Sequence, residues 1–417
     1  MEDIYKVIKQ NKQIKKFCLY GFLKNLRFFE PYLYIYLLQV IGLNLFQIGT
    51  LFSIREAITY IFEVPSGILA DQYGKKIELV ICFIFYILSF FFFYIGGNYF
   101  IIVIAMFFFG LGEAFRSGTH KAMIYSYLEE KEWFKYKTFV YGRTRSFSLI
   151  GSSISAFAAI FIIIRLPEMK TIFLFSIIPY VLDFLLILSY PNSLNERVES
   201  TLNLKKFFIF SARQVKEIFS NRDLKKVILS SSLFDGIFKI LKDYIQPILQ
   251  DIILISGIYA IAAMDADTRL KIILGIIYGV TYIFSSMVSR NVYRLNLKIK
   301  SNRLMDISFD IFSVLFFLLF FAIRLEMIVL VILLYFVLYL LKDGRRPLVV
   351  DVFGDTMRKT ERATVLSVES QTRSLFMIIL APVFGYIADN FGIATLFIFI
   401  GFSLLILNRF LRVEKIK

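Results

Sequence analysis

The sequence of 417 residues contains only two cysteines, one histidine and one tryptophan. Cys18 and Cys82 both lie in apolar runs, and two such cysteines make neither a disulfide framework nor a metal set. The single histidine, His120, argues against a histidine metal site and against a histidine-based catalytic triad. We therefore expect the protein to hold no metal and no cofactor.

Charged residues are also scarce, at 19% of the chain, whereas 58% of the residues are hydrophobic. Soluble domains contain about 25% charged and about 45–50% apolar residues. Together with a mean hydropathy of +0.69, this composition excludes a soluble enzyme, a disordered chain and a fibrous protein. Because one membrane span needs about 20 apolar residues, the composition indicates many spans.

Apolar segments of membrane length recur twelve times, which predicts an all-α membrane protein with twelve transmembrane helices. The first segment is too long for a cleavable signal, and no small-residue cleavage site follows it. The stretch 251–270 is the least clear, because its apolar residues fit either a span or an external segment. The predicted spans lie near 17–40, 45–70, 77–95, 99–128, 138–164, 171–190, 224–250, 271–289, 304–323, 327–353, 363–388 and 392–408.

Acidic residues are outnumbered, with 32 Asp and Glu against 48 Lys and Arg, for a net charge of +16. The N-terminal tail, the even-numbered loops and the C-terminal tail hold 30 of these basic residues, and the odd-numbered loops hold 5. Positively charged loops are retained in the cytoplasm. We therefore expect a multi-pass protein of the plasma membrane with both termini cytoplasmic, and the charge does not require a nucleic-acid partner.

The longest polar interruption, 192–223, divides six predicted spans from six. We expect an N-terminal six-helix bundle over 1–191, a cytoplasmic linker over 192–223 and a C-terminal six-helix bundle over 224–417. Within the linker, Leu204, Phe208, Val215 and Phe219 fall at helical spacing. That pattern fits an amphipathic helix on the cytoplasmic leaflet, and a solvated linker remains the alternative.

The two halves share short sequence matches. Thr144-Arg145-Ser146 in the fifth span corresponds to Thr372-Arg373-Ser374 in the eleventh, and Arg116 in the fourth has a near-counterpart in Arg345 of the tenth. Each match joins spans that are six apart. Parallel repeats of six spans are typical of transporters in which two bundles rock around a site at the membrane midplane.

A glycine-rich motif follows the second span, with the form G-x-x-x-D-x-x-G-[RK]-[RK]. Its residues are Gly67, Asp71, Gly74, Lys75 and Lys76. Glycines permit close packing and a tight turn. An aspartate at this place can pair with a neighbouring helix terminus or a basic side chain. The motif resembles the loop motif of the major facilitator superfamily.

Four more segments look like that superfamily: Glu63 to Gly67, Phe115 to Thr119, Arg362 to Thr364 and Ala381 to Asp389. The resemblance covers the whole chain and implies two six-helix bundles, a central cavity and transport by alternating access, and we expect a monomer. It also implies that Asp71 stabilises one access state through the second bundle. Two departures concern exporters: Met106 stands where their fourth span has arginine, and the fifth span lacks their glycine–proline motif.

Charged side chains inside the spans are expensive in hydrocarbon and must face protein or water. Salt pairs along one helix, such as Glu113–Arg116 and Glu369–Arg373, are the alternative to a functional role. The depth of Arg145 and Arg373 places both near the midplane, where we expect the substrate. The candidate substrate-binding residues are Arg27, Arg116, Arg145, Lys239, Arg345 and Arg373, and the candidate proton-coupling residues are Glu30, Glu113 and Asp235.

Three functions compete for this sequence. The resemblance favours a secondary transporter that exports a small molecule in exchange for protons. Basic residues that could grip a carboxylate or phosphate favour instead a proton-coupled importer of an organic anion. A membrane-embedded enzyme is the weakest candidate, because the sequence offers no recognisable nucleophile–base pair. We therefore expect a transporter and no enzymatic activity.

Overall fold

A computed structural model of the protein describes residues 2–195, 219–256, 265–291, 299–356 and 362–413. Within these ranges every regular element is a helix, which confirms the expected all-α class. Twelve spans and cytoplasmic termini stay predictions. Eight helices in the described part are long and apolar enough to cross a membrane, namely Lys75–Ile95, Tyr99–Glu130, Phe139–Arg165, Met169–Leu188, Ala266–Val288, Ser301–Arg324, Val365–Phe391 and Ile393–Leu411.

The chain divides into two compact units. The first comprises Met1–Ile41, Ile54–Thr201 and Tyr278–Ile283, and the second comprises Gly42–Ser53, Leu202–Ile277 and Phe284–Lys417. The predicted division at 192–223 stays a prediction. Of the four apolar linker positions, only Phe219 belongs to the described residues, and it packs against the core of the second unit.

Helices α1 to α8 begin and end where capping side chains and glycines allow. Asn11 accepts hydrogen bonds from the amides of Gln13 and Ile14 at the start of α2, and Asn98 accepts one from Ile101 at the start of α5. Such side chains satisfy amides that lack a partner in the first helical turn. The helices are α1 Glu2–Gln10, α2 Lys12–Leu23, α3 Leu45–Tyr73, α4 Lys75–Ile95, α5 Tyr99–Arg116, α6 Thr119–Glu130, α7 Lys137–Arg165 and α8 Ile172–Leu188, with short turns at Glu30–Tyr32, Leu33–Ile35 and Tyr36–Val40.

Aromatic packing and small residues hold the first unit together. Helix α4 packs against α5 and α8, and the ring of Tyr86 on α4 lies 5.3 Å from Phe109 and 5.2 Å from Tyr180. Helix α2 packs against α7, where a Cβ on Gly151 would lie 2.5 Å from the backbone oxygen of Phe22. Only glycine allows this approach of the two helices.

The second unit contains the remaining helices, except for Tyr278–Ile283 of α11, which belong to the first unit. Helix α9 packs against α14, and α12 packs against α13 and α15. Asn221 caps α9 by accepting from the amides of Asp223 and Leu224. The helices are α9 Arg222–Leu241, α10 Ile245–Ser256, α11 Ala266–Asn291, α12 Ser301–Arg324, α13 Ile328–Thr356, α14 Arg362–Phe391 and α15 Ile393–Leu411.

The first turns of α3 also belong to the second unit, where they pack closely on α14. A Cβ on Gly49 would lie 2.3 Å from the backbone oxygen of Ala381, and one on Gly385 would lie 2.2 Å from that of Leu45. The carboxylate of Asp389 accepts the amides of Leu45 at 3.0 Å and Phe46 at 2.7 Å. A carboxylate therefore caps the positive N-terminus of α3.

Candidate functional site

A cavity of about 380 Å³ lies in the first unit, among α2, the junction of α5 with α6, and α7. Four basic side chains line it: Lys24, Arg116, Lys121 and Arg145. The hydroxyls of Ser148 and Ser152 and the amide of Asn25 supply further polar groups. Among the described residues that line this basic cavity, none is acidic.

Helical spacing brings the α7 residues to the cavity. The lining residues of α7 share one stripe of the helix, because each lies three or four residues from the next turn's member. They are Tyr141, Thr144 and Arg145, Ser148, and Ser152. Arg143 falls outside this stripe. It lines instead a separate, mostly apolar groove with Cys18, Leu19, Phe22, Phe147 and Ile150.

One carboxylate beside the basic cavity is shared by two guanidinium groups. Glu113 accepts Arg27 at 3.0 Å, and its second oxygen pairs with Arg116, one turn further along α5. The phenol of Tyr86 donates to Glu113 at 2.7 Å, and Arg27 also donates to the hydroxyl of Tyr180 at 2.9 Å. The expected pair along α5 is therefore present, and Arg27 joins it as a second cation, on which Glu30 also acts electrostatically.

His120 lies on the wall of the same cavity as a packed ring. It stacks on Tyr20 with ring centroids 3.6 Å apart, and Phe17 meets it edge-on. Its Nε2 lies 3.3 Å from the hydroxyl of Tyr190. The ring therefore holds α6 against α2 and the end of α8.

The second unit contains an ion-pair network in which the numbers of acidic and basic side chains are equal. Arg346 pairs with Glu369 at 2.9 Å and reaches Asp235 at 3.7 Å. Arg373 lies 3.8 Å from Glu369 and 4.0 Å from Asp235. Two carboxylates therefore face two guanidinium groups. In addition, Ser231 donates to Glu369 at 2.8 Å.

Arg345 is buried next to this network, with 1% of its surface exposed. Its guanidinium donates to Ser308 at 3.1 Å and to Ser230 at 2.9 Å. The same group lies 4.3 Å from the ring of Phe234. Hydrogen bonds and a cation–π contact thus hold Arg345 inside the helix packing.

The structure places the predicted site residues in two groups. Arg27, Glu113, Arg116 and Arg145 lie at the cavity in the first unit. Asp235 and Arg373 lie in the second unit's network, with Arg345 packed beside them. The last two predicted residues are Lys239, which is exposed on α9, and Glu30, which begins the turn Glu30–Tyr32 and interacts electrostatically with Arg27.

The glycine-rich motif joins α3 to α4. Gly74 has a φ of +104°, a backbone conformation that other residues rarely adopt, so the turn favours glycine here. Lys75 donates to Ser126 at 3.1 Å, and Lys76 donates to the backbone oxygen of Tyr190 at 2.8 Å. The two lysines thus fasten the turn to α6 and to the end of α8, and the gating role of Asp71 stays a prediction.

The expected site omitted residues that the structure places beside it. Lys24 lines the cavity, and Asp183 on α8 is fully buried in the same unit. In the second unit, Arg346 and Glu369 form the shortest ion pair of the network. The sequence did contain a signal for Asp183, which is an acidic residue inside the apolar run 172–188. Because a carboxylate in a membrane span is costly, such a residue indicates a functional role.

The chain is similar to known membrane transporters in sequence and in fold. The profile of the Major Facilitator Superfamily matches residues 18–341. The uncharacterized MFS-type transporter YxaM of Bacillus subtilis (strain 168) is 25% identical over 382 residues, which cover 91% of this chain and 89% of that protein. The crystal structure of the nucleoside transporter NupG is 14% identical with a TM-score of 0.77, and the match covers 98% of this chain and 100% of that chain.

A further solved structure shares the fold. It is a POT family transporter in complex with 5-aminolevulinic acid, 11% identical, with a TM-score of 0.71 and coverage of 96% of this chain and 95% of that chain. At this level of identity the two crystal structures establish similarity of fold alone.

Proposed function

The chain belongs to the major facilitator superfamily and is a membrane transporter of that type, and from this premise we propose that it carries a small organic anion by alternating access. The proposal places the protein in the plasma membrane as a secondary active transporter that is coupled to protons. The anion binds in the basic cavity of the first unit through its carboxylate or phosphate group.

The observation that carries this proposal is the charge of the basic cavity. Lys24, Arg116, Lys121 and Arg145 line it, and the described lining residues include no acid. In a confined site of low dielectric constant, such charges attract an anion and repel a cation. Guanidinium groups also match the planar geometry of carboxylate and phosphate. An anionic substrate is therefore favoured over a cationic drug.

The size of the cavity supports a small substrate. Ligand pockets have volumes of about 300–1,000 Å³, and this one measures about 380 Å³. The side chains of Ser148, Ser152 and Asn25 on its wall can hydrogen-bond the neutral polar part of such a molecule. These groups would orient the substrate once the basic residues hold its charge.

Proton coupling and direction form the finer part of the proposal. Glu113 is the first proposed proton carrier, because it shares one ion-pair network with Arg27 and Arg116. Substrate binding to either arginine would weaken that network and favour protonation of Glu113. Glu30 and Asp235 remain the other proposed proton carriers. Export in exchange for protons and import with protons are separate directions of the same proposed cycle.

Transport by purified protein in liposomes tests the proposal. A panel of metabolites that carry one carboxylate or phosphate is compared with a panel of cations of similar size, with and without a pH gradient. We expect uptake or release of at least one anion, which responds to the gradient and is absent from protein-free liposomes. Transport of cations alone would contradict the anion site, and transport that ignores the gradient would contradict proton coupling.

A further inference from the structure

Asp183 on α8 is a buried acid that neither the predicted nor the proposed site uses. Its side chain is 0% exposed, and within the described residues neither carboxyl oxygen has a hydrogen-bond partner. An ionised carboxylate without a donor or counterion is expensive to bury. The protonated carboxyl is far less so. The surroundings of Asp183 therefore favour a bound proton in this arrangement.

Lys24 is the basic residue next to Asp183. The hydroxyl of Tyr180 donates to the backbone oxygen of Lys24 at 3.0 Å and so fastens α8 to the chain just beyond α2. Asp183 follows Tyr180 by three residues, which places it one helical turn away on a neighbouring face. The charge of Lys24 acts on Asp183, and the reverse also holds. Lys24 also lines the basic cavity, so one ammonium group can act on both the cavity and the buried acid.

The other titratable groups around Asp183 are accounted for. Tyr20 of α2 and Tyr190 beyond α8 interact with it electrostatically, and both pack on His120 of α6. Helix α4, which packs on α8, carries Glu78 and Tyr86. These bond to Thr119 and Glu113 respectively. Among the charged groups of the described chain, Lys24 is the cation that acts on Asp183.

We propose that Lys24 alternates between the substrate anion and Asp183, and that Asp183 carries a proton whenever Lys24 serves the anion. This inference rests on the proposed anion site. When the anion leaves, the O–H bond of Asp183 breaks, its proton passes to water in the cavity and its electron pair stays on the carboxylate. The carboxylate then pairs with the ammonium group of Lys24, and anion binding reverses these changes.

Anion and proton are therefore bound together and released together. Such linkage makes the protein a symporter, and an inward proton gradient would drive import of the anion. The same linkage argues against exchange of anion for proton, which needs the two to bind alternately. The Lys24–Asp183 pair thus favours the importer over the exporter among the two proposed directions.

Infrared difference spectroscopy of the purified protein, recorded with and without saturating sulfate, tests the state of Asp183 when the anion is bound. We expect sulfate binding at about pH 7 to produce the C=O stretching band of a protonated carboxyl in the unsubstituted protein and in Asp223→Asn, an exposed control. The band should be missing in Asp183→Asn. Its absence from the unsubstituted protein, or its persistence in Asp183→Asn, overturns the assignment while leaving the anion site untouched.

Binding of sulfate then tests the coupling. Sulfate keeps its charge between about pH 5 and about pH 8, so any pH dependence in that range belongs to the protein. We expect its affinity to fall by about tenfold for each pH unit above the titration of Asp183. Asp183→Asn should bind sulfate equally at every pH, whereas Lys24→Met should bind it more weakly and without pH dependence.

The remaining outcomes separate the two proposals. If Asp183→Asn fails to fold, Lys24→Met still decides, because a pH dependence that survives there overturns the pair. A pH dependence that is kept in Asp183→Asn but lost in His120→Gln or in Glu113→Gln assigns the proton to that residue and overturns the inference. A carboxyl band that is missing although sulfate binds overturns this inference alone, whereas an unsubstituted protein that binds no sulfate at any pH contradicts the anion site of the proposed function.

Discussion

At the scale of single residues, two arginines on α7 show how position decides role. Arg143 and Arg145 are two residues apart and therefore point about 200° apart around the helix. Arg145 lines the basic cavity with Ser148 and Ser152, whereas Arg143 lines the apolar groove with Cys18 and Phe147. Two identical side chains on one helix thus lie in two different environments, one polar and one apolar.

The first prediction compares these arginines. Arg145→Gln should weaken anion binding by about tenfold or more, because a hydrogen bond to a charged group contributes about 1.5–3 kcal/mol. Arg143→Gln removes the same charge outside the cavity and should leave affinity within about twofold. Isothermal titration with a transported anion measures both. Equal losses in the two variants would point to a general effect of charge rather than contact.

The second prediction concerns Arg345, a proposed substrate contact that the helix packing encloses. Removing it in Arg345→Ala leaves Ser230 and Ser308 without their donor and breaks a buried charged network, at about 3–5 kcal/mol. The thermal midpoint in detergent should therefore fall by several degrees. Lys225→Ala, exposed on α9, should leave it nearly unchanged. A stable Arg345→Ala that binds no anion would support the substrate role instead.

At the scale of elements, helices meet where glycine and a capping acid allow it. The start of α3 approaches α14 so closely that a Cβ on Gly49 or Gly385 would collide with backbone atoms. Asp389 completes this contact by accepting two amides from the first turn of α3. The sequence pattern Ala381 to Asp389 is therefore a packing surface with a cap at its end.

The third prediction tests that cap. In Asp389→Ala the amides of Leu45 and Phe46 lose their acceptor, and a lost N-terminal cap costs about 0.5–2 kcal/mol. Hydrogen exchange at these two amides should accelerate by between about twofold and about thirtyfold. Asn390→Ala removes a neighbouring side chain that donates within its own helix to the backbone oxygen of Tyr386, and it serves as the control. Unchanged exchange in Asp389→Ala would remove the capping role.

At the scale of the whole molecule, the distribution of lysine and arginine predicts an orientation. The fourth predicted loop carries Lys131, whose side chain is well exposed, and the fifth carries Glu168, which is more so. The cysteines of the natural chain, Cys18 and Cys82, are both buried. Single cysteines introduced into these loops can therefore be labelled selectively.

The fourth prediction uses that property. A membrane-impermeant maleimide should label Glu168→Cys in intact cells, whereas Lys131→Cys should react only after the membrane is permeabilised. The expected cause is retention of the basic loops in the cytoplasm. The unsubstituted protein should stay unlabelled in both conditions. Labelling of Lys131→Cys in intact cells would reverse the orientation of the chain.

The candidate site was predictable in part. Arg27, Glu113 and Arg116 could be chosen because charges within apolar runs must face protein or water, and they do share one network. Lys24 and Asp183 were not predicted as site residues, since the interaction between them depends on the packing of α8 against α2. Contacts between helices distant in sequence follow from side-chain shape, which periodicity along one helix does not contain.

The sequence by itself determined the membrane class and the helical content, because each apolar run is long enough to cross the hydrocarbon as a helix, which bonds its own backbone groups. The motif at Gly67 to Lys76 indicated the family. The sequence also determined which residues share a stripe on one helix, as with Arg145 and Ser148. Only the tertiary structure decided which charges are paired, since Glu113 has two guanidinium partners from separate segments and Asp183 has none among the described residues. Pairing depends on distances of a few ångströms between helices, and those distances are set by packing at positions such as Gly151 and Phe22.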